Sequence, residues 1–195
     1  MLSVIIATHD CERLLVPTLA ALVSGALAGI VREVIVADAG SHDETAKVAD
    51  IAGCRIVVSA AATGARLKSA AVGARGRWLL FLKPGSVPEA TWVDEATRFM
   101  EGTELAGRAN VQAAVFRPTP TPRTRPLLAD VMALVAAALG ARPRPHQGLL
   151  IAKSFYERLG GHPADAADPE AALLRRLGRR RIVMLQTGVA SVAPV

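Results

Sequence analysis

The chain is poor in cysteine, histidine and aromatic residues: its 195 residues include two cysteines, four histidines, one tyrosine, two tryptophans and four phenylalanines. Cys11 and Cys54 lack the paired spacing of a zinc site and are too few for a disulfide framework, so they read as free thiols in a reducing compartment. His9, His42, His146 and His162 are dispersed, none at metal-ligand spacing, and are expected in turns or at the surface. With aromatics at 4%, little is available to stack on bases, which argues against a nucleic-acid partner. Long hydrophobic runs are also missing. The longest, Leu127 to Leu139, contains Asp130 and falls short of the about 20 residues that cross a bilayer. No basic lead or small-residue cleavage site precedes the first apolar run at Leu2, so a cytoplasmic protein is expected. No Gly-x-Gly-x-x-Gly follows that run, which counts against a dinucleotide-binding dehydrogenase. No Gly-x-Ser-x-Gly elbow supports a hydrolase triad.

What is present is apolar and basic. Hydrophobic residues make up 51% and charged residues 21% of the sequence, enough for one sizeable core and short for two, so 1–195 reads as a single domain. The net charge is +6. Arginines gather at Arg117 to Arg125, Arg142 to Arg144 and Arg175 to Arg181. Such a field attracts an anionic membrane surface or a phosphorylated ligand, or simply keeps the surface solvated, and the sequence leaves these open.

From the amino terminus to about Met100 strand and helix patterns alternate. Strands are expected at Leu2 to Ala7, Val34 to Asp38, Arg55 to Ser59 and Trp78 to Leu82. Helices are expected at Glu12 to Ser24, from Asp43 as cap to Ile51, at Ala65 to Ala74, and from Pro88 to about Met100. This repetition predicts an α/β fold, a mostly parallel sheet with helices on both faces. Beyond it the pattern is less regular. A strand at Val111 to Phe116 precedes a loop at Pro118 to Pro126 crowded with proline and arginine. An amphipathic helix is expected at Leu127 to Leu139. A strand at Gln147 to Ala152, helices at Lys153 to Leu159 and Glu170 to Leu177, and a final strand at Ile182 to Leu185 complete the pattern.

The segment Val34-Ile35-Val36-Ala37-Asp38-Ala39-Gly40-Ser41-His42-Asp43-Glu44-Thr45 carries the most information. A β-branched run delivers Asp38 to the carboxyl end of a strand, where open α/β sheets bind their ligands. Thr8, His9 and Asp10 follow the first strand in the same way. Asp38 is therefore a site candidate, with an exposed turn as the plainer reading. Asp43 suits a helix cap.

The order of motifs resembles the family 2 glycosyltransferases, which have the Rossmann-like GT-A fold and transfer a sugar from a nucleotide-sugar donor. Ser3 to Asp10 looks like that family's first strand and turn. Val34 to Thr45 is similar to its apolar strand closing in Asp-Asp-Gly-Ser-x-Asp-x-Thr. Gly64 to Ala70 with Ala74 to Leu82 resembles its helix and fourth strand, and Gln147 to Ile151 with Phe155 to Gly161 its acceptor-side segment. The resemblance implies a nucleotide-binding half over 1–100 and an acceptor-side half over 101–195. Asp38 and Thr8 would surround the donor's base, plausibly uracil. Partners would be a nucleotide sugar and an unidentified acceptor, with peripheral membrane association and a homo-oligomer as further possibilities.

Glycosyl transfer needs the departing nucleotide diphosphate stabilised. The family does this with a divalent cation (Mn or Mg) held by aspartates after the fourth strand. Here that place reads Lys83-Pro84-Gly85-Ser86, so the acidic ligands are lost and no metal-binding residues are assigned. Lys83 stands where the family has a ligand and can itself offset diphosphate charge. Lys68, where the family often has asparagine, is a second candidate cation near the phosphates, or a lysine on a solvated helix face. The family's acceptor base belongs to a Glu-Asp pair before a helix, and Asp168-Pro169-Glu170 is the matching place. Glu170 is the candidate base; alternatively Pro169 and Glu170 only start a helix. A GT-A chain that binds a nucleotide without catalysis is the alternative to an enzyme.

Overall fold

A computed structural model describes residues 1–119 and 147–192. The helix expected at Leu127 to Leu139, and the loop residues from Pro120 onward, lie outside the described residues. Eight strands form one sheet in the order β3-β2-β1-β4-β7-β6-β8-β5. They are β1 (Leu2–Thr8), β2 (Val31–Asp38), β3 (Arg55–Val58), β4 (Trp78–Leu82), β5 (Ser86–Pro88), β6 (Ala113–Pro118), β7 (Leu149–Ala152) and β8 (Ile182–Ser191). The helices are α1 (Glu12–Leu27), α2 (Thr45–Ile51), α3 (Thr63–Val72), α4 (Trp92–Leu105), α5 (Lys153–Arg158) and α6 (Pro169–Leu177).

Strands β1 to β4 pair in parallel, as the strand and helix alternation predicts. The later strands are mixed: β6 is parallel to β8, whereas β4–β7, β6–β7 and β5–β8 are antiparallel. β1 lies between β2 and β4 and is apolar on both faces, with Leu2, Val4, Ile5 and Ile6 fully buried, the composition of a strand covered on both sides. The polar residue near its start is satisfied: the Ser3 hydroxyl donates to Glu33 Oε1 at 2.7 Å and accepts from Gly76 N at 2.8 Å. The register pairs Thr8 with Asp38 and Ile6 with Leu82, so the carboxyl ends of β1, β2 and β4 share one edge.

Three sequence expectations are corrected. Pro88 does not open a helix. It pairs with Val189 at the end of β5, an edge strand where a missing N–H costs nothing, and α4 begins at Trp92. β6 runs on through Pro118, paired with β8. β8 continues past Leu185 to Ser191, because β6 and then β5 hold its polar Gln186-Thr187-Gly188 stretch by backbone pairing that no local pattern encodes.

Candidate functional site

Two loops after β1 and β2 are laced together. The Asp10 amide donates to Ser41 Oγ, the Cys11 amide to Thr45 Oγ1 and the Glu12 amide to Asp43 Oδ2, at 2.9–3.0 Å. In return His42 N donates to Asp10 Oδ1 at 2.7 Å and Glu44 N to Glu12 Oε2 at 3.0 Å. Asp43 also accepts from Thr45 N at 3.0 Å, so it takes the first amide of α2 and of α1 together, although the N-cap position of α2 falls on Glu44 and not on Asp43 as expected. Asp10 takes a left-handed φ of 42° to make this turn, a conformation that Asp tolerates better than most residues.

At the root of the lacing lies Asp38, 1% exposed. Its Oδ1 accepts from Thr8 Oγ1 at 2.7 Å and Ser41 Oγ at 2.6 Å; its Oδ2 accepts from the Gly40 and Ser41 amides at 2.8 and 2.7 Å. These four donors fill the carboxylate's lone-pair directions. Burial pushes the carboxyl's pKa up, but the bonds from Ser41, Thr8 and Gly40 outweigh it and hold the group below the ordinary carboxylate range.

Beneath Asp38 sits Arg66, which the sequence reading missed. It is 7% exposed. Its Nη1 donates to the carbonyls of Thr8, at 2.9 Å, and Ala37, at the ends of β1 and β2. Nε reaches the Ala61 carbonyl at 3.1 Å and Nη2 the Thr63 hydroxyl at 3.2 Å. Burial lowers its pKa and the Asp38 charge works against that. A signal existed: Arg66 shares the inward face of α3 with Leu67 and Ala70, a place where an arginine needs a polar destination. Lys68, two residues on and therefore across the helix, is exposed and has no polar partner among the described residues.

The end of β4 is built differently. Lys83 Nζ lies 3.1 Å from Glu170 Oε2, with side-chain exposures of 34% and 15%. The structure therefore joins two of the sequence candidates in an ion pair. Glu170 Oε2 has no hydrogen bond of good geometry. Burial lifts the Glu170 carboxyl to about 7, with Lys83 opposing and Asp168 adding to the rise. Glu170 stands in the first turn of α6, where Asp168 caps by accepting from Ala171 N at 2.9 Å and Pro169 takes the first helical position. The start of α6 is held against α3 by Gly64, whose absent Cβ would lie 1.9 Å from the Pro163 carbonyl oxygen.

Between Lys83 and β5 the chain turns through Gly85, at φ 85°. Ser86 N closes the turn on the Lys83 carbonyl at 3.0 Å, and Gly85 N donates to the Leu14 carbonyl and to Thr18 Oγ1, both at 2.9 Å. A Cβ at Gly85 would approach the Val192 carbonyl oxygen to 2.9 Å. Among the described residues no three His, Cys, Asp or Glu side chains gather to hold a metal ion. The donors present at this turn do not fit a divalent cation: an ammonium, a proline and a glycine, with the one nearby carboxylate paired to the ammonium.

His162 corrects another expectation, being 1% exposed rather than at the surface. Its Nδ1 lies 2.8 Å from the Tyr156 hydroxyl and its ring meets Phe81 edge-on. Burial lowers its pKa to about 4 and lifts Tyr156 to about 12, so both are neutral packing groups.

No family model matches the sequence, and no curated protein matches it. Solved structures do match in fold. Glucosyl-3-phosphoglycerate synthase of Mycobacterium tuberculosis, solved with Mn2+, UDP and glucosyl-3-phosphoglycerate, aligns over 100% of this chain and 73% of its own, at 22% identity and TM-score 0.69. The mannosyltransferase PcManGT of Pyrobaculum calidifontis, in complex with GDP-Man and Mn2+, aligns over 99% of this chain and 57% of its own, at 16% identity and TM-score 0.70. Residues 1–349 of S. aureus TarS, solved with UDP-GlcNAc, align over 100% of this chain and 59% of theirs, at 14% identity and TM-score 0.70. The chain carries the GT-A fold of nucleotide-sugar glycosyltransferases.

Proposed function

We propose that this chain is a glycosyltransferase of the family 2 type that takes a UDP-sugar donor over the carboxyl ends of β1, β2 and β4. The observation that carries the reading is the gathering of Thr8, Asp38, Lys83 and Glu170 along one edge of a GT-A sheet. In this reading the base lies against the laced loops. A ring N–H of uracil reaches Asp38 Oδ1 by taking the place of the Ser41 hydroxyl, which also gives up its bond from the Asp10 amide, so one tie of the lacing opens as the base enters. Lys83 supplies the charge that offsets the diphosphate, and the turn's lack of acids supports doing so without a divalent cation. Glu170 takes the acceptor's proton; a carboxyl lifted to about 7 is matched to that work near neutral pH.

Calorimetry of the purified chain with UDP, UDP-glucose and UDP-GlcNAc, with manganese or with chelator, tests the donor side. Binding that is unaffected by chelation is expected. Absence of binding to any of them would overturn the reading, and tight binding only with manganese would overturn its metal-free part. A second reading is a chain that binds the nucleotide without transferring sugar. The mutual neutralisation of Lys83 and Glu170 favours it. Release of UDP from a bound UDP-sugar, measured in the same samples, separates the two. The exposed Arg175, Arg179, Arg180 and Arg181 form no ion pair among the described residues, which supports contact with an anionic membrane, to be checked by flotation with anionic vesicles at low salt.

A further inference from the structure

The Lys83–Glu170 pair has an unusual construction for a purely structural ion pair. Neither member has a second partner among the described residues: the Lys83 side chain makes no other polar contact, and Glu170 Oε2 meets only the Lys83 ammonium, without good hydrogen-bond geometry. Elsewhere at this edge the opposite holds, since each oxygen of Asp38 has two donors. The Lys83 side chain remains one-third exposed, which gives a competing anion an approach to it. It stands on the turn after β4, beside the strand ends that carry Thr8 and Asp38.

We infer that Lys83 exchanges partners: in the free chain it holds Glu170, and the diphosphate of an incoming nucleotide takes over the ammonium and releases Glu170 toward the acceptor. This rests on the donor reading above and adds an order to it. A doubly charged phosphate group outcompetes one carboxylate for a shared cation because it brings more charge and more acceptor oxygens to the same point. The carboxylate that leaves is tethered to α6, whose start is fixed against α3 at Gly64 and Pro163, so it stays at the site. Before the donor arrives, the ammonium engages the acid; afterwards the acid is available. The pair acts as a counter-ion lock that only the first substrate opens, and acceptor chemistry follows donor binding.

The test is a double-variant cycle read by calorimetry, with UDP and inorganic pyrophosphate as probes and chelator present. Glu170→Gln removes the resident anion and is expected to tighten UDP binding roughly fivefold. Lys83→Ala is expected to weaken it roughly tenfold. In the Lys83→Ala background the Glu170→Gln change should move affinity less than about twofold, because no ammonium is left to contest. Equal tightening in both backgrounds would mean plain charge repulsion and would overturn the exchange; so would unchanged or weaker binding by Glu170→Gln. Pyrophosphate binding with the same pattern, but no UDP binding, would support the exchange and overturn the uridine reading. No binding of either probe by the unaltered chain would overturn both. A crystal structure of the unaltered chain with UDP gives a readout free of variants. Lys83 Nζ is expected at about 2.8 Å from a phosphate oxygen and out of contact with Glu170, and Lys83 still seated on Glu170 would overturn the inference.

Discussion

At the ends of β1 and β2 every oxygen of Asp38 has two donors, whereas at the end of β4 Glu170 Oε2 has one partner among the described residues, an ammonium at 3.1 Å. The first region is saturated. Its loops are tied to one another amide by amide, and a buried arginine of α3 bridges the ends of the two strands below them. The second is a single contact between a side chain one-third exposed and one mostly buried. The difference assigns the two sides different work: a region whose polar groups are all satisfied holds a shape, and a region with one contestable contact can change partners.

The comparison breaks first at Asp38. Asp38→Ala leaves the Gly40 and Ser41 amides and two hydroxyls without their acceptor, and is expected to cost about 3–5 kcal/mol in denaturant unfolding. The sign with pH follows from the lowered carboxyl: its stabilisation is present above the ordinary acid range and is lost as pH falls through the folded-state value. The gap between the unaltered chain and Asp38→Ala should therefore narrow in acid, and a gap independent of pH would mean the carboxylate is not the stabilising form. Arg66→Met should cost about 2–3 kcal/mol, since it strips a charged donor from the Thr8 and Ala37 carbonyls. It should weaken UDP binding as well, as the loops lose their base.

Smaller effects sharpen the other side. Gly64→Val forces the 161–168 segment away from α3 and moves Glu170 with it. A loss of about 2 kcal/mol is expected, read as a lowered Tm. Glu170→Gln should do the reverse. Its acid sits at about 7 in the folded chain against an ordinary 4.5, so the folded state binds the extra proton between those values and stability falls as pH rises through the window. The variant is expected to be about 2 kcal/mol more stable than the unaltered chain at pH 8.5 and equal to it below about pH 4. Equal stability at both pH values would mean that Lys83 already neutralises the acid fully. Manganese is expected to change UDP affinity by less than about twofold.

Much of this edge was legible in the residues. Continuous apolar runs at Leu2 to Ala7 and Trp78 to Leu82 announce strands buried on both faces, and an acid followed by Ala39-Gly40-Ser41 announces the turn that ends β2. Lys83 and Glu170 could each be picked out by resemblance, though not their contact, since 87 positions of chain separate them. What escaped reading was set by distant pairing. Pro88 carries a helix-start signal that β8 overrides, and the second half of β8 has no alternation of its own. Arg66 and His162 are polar residues buried by tertiary structure, one hydrogen-bonded to strand ends and one to Tyr156.

Gly85 gives the site a direction in time. Its positive φ, the approach to the Val192 carbonyl and the doubly engaged amide mean that an aspartate placed there would have to displace Val192, just past β8, and unpick the turn from α1. On the reading proposed above, a lineage with this turn could not gain an acid here by a single substitution without first loosening the chain around it, and charge balance at the diphosphate would go on evolving through cations such as Lys83.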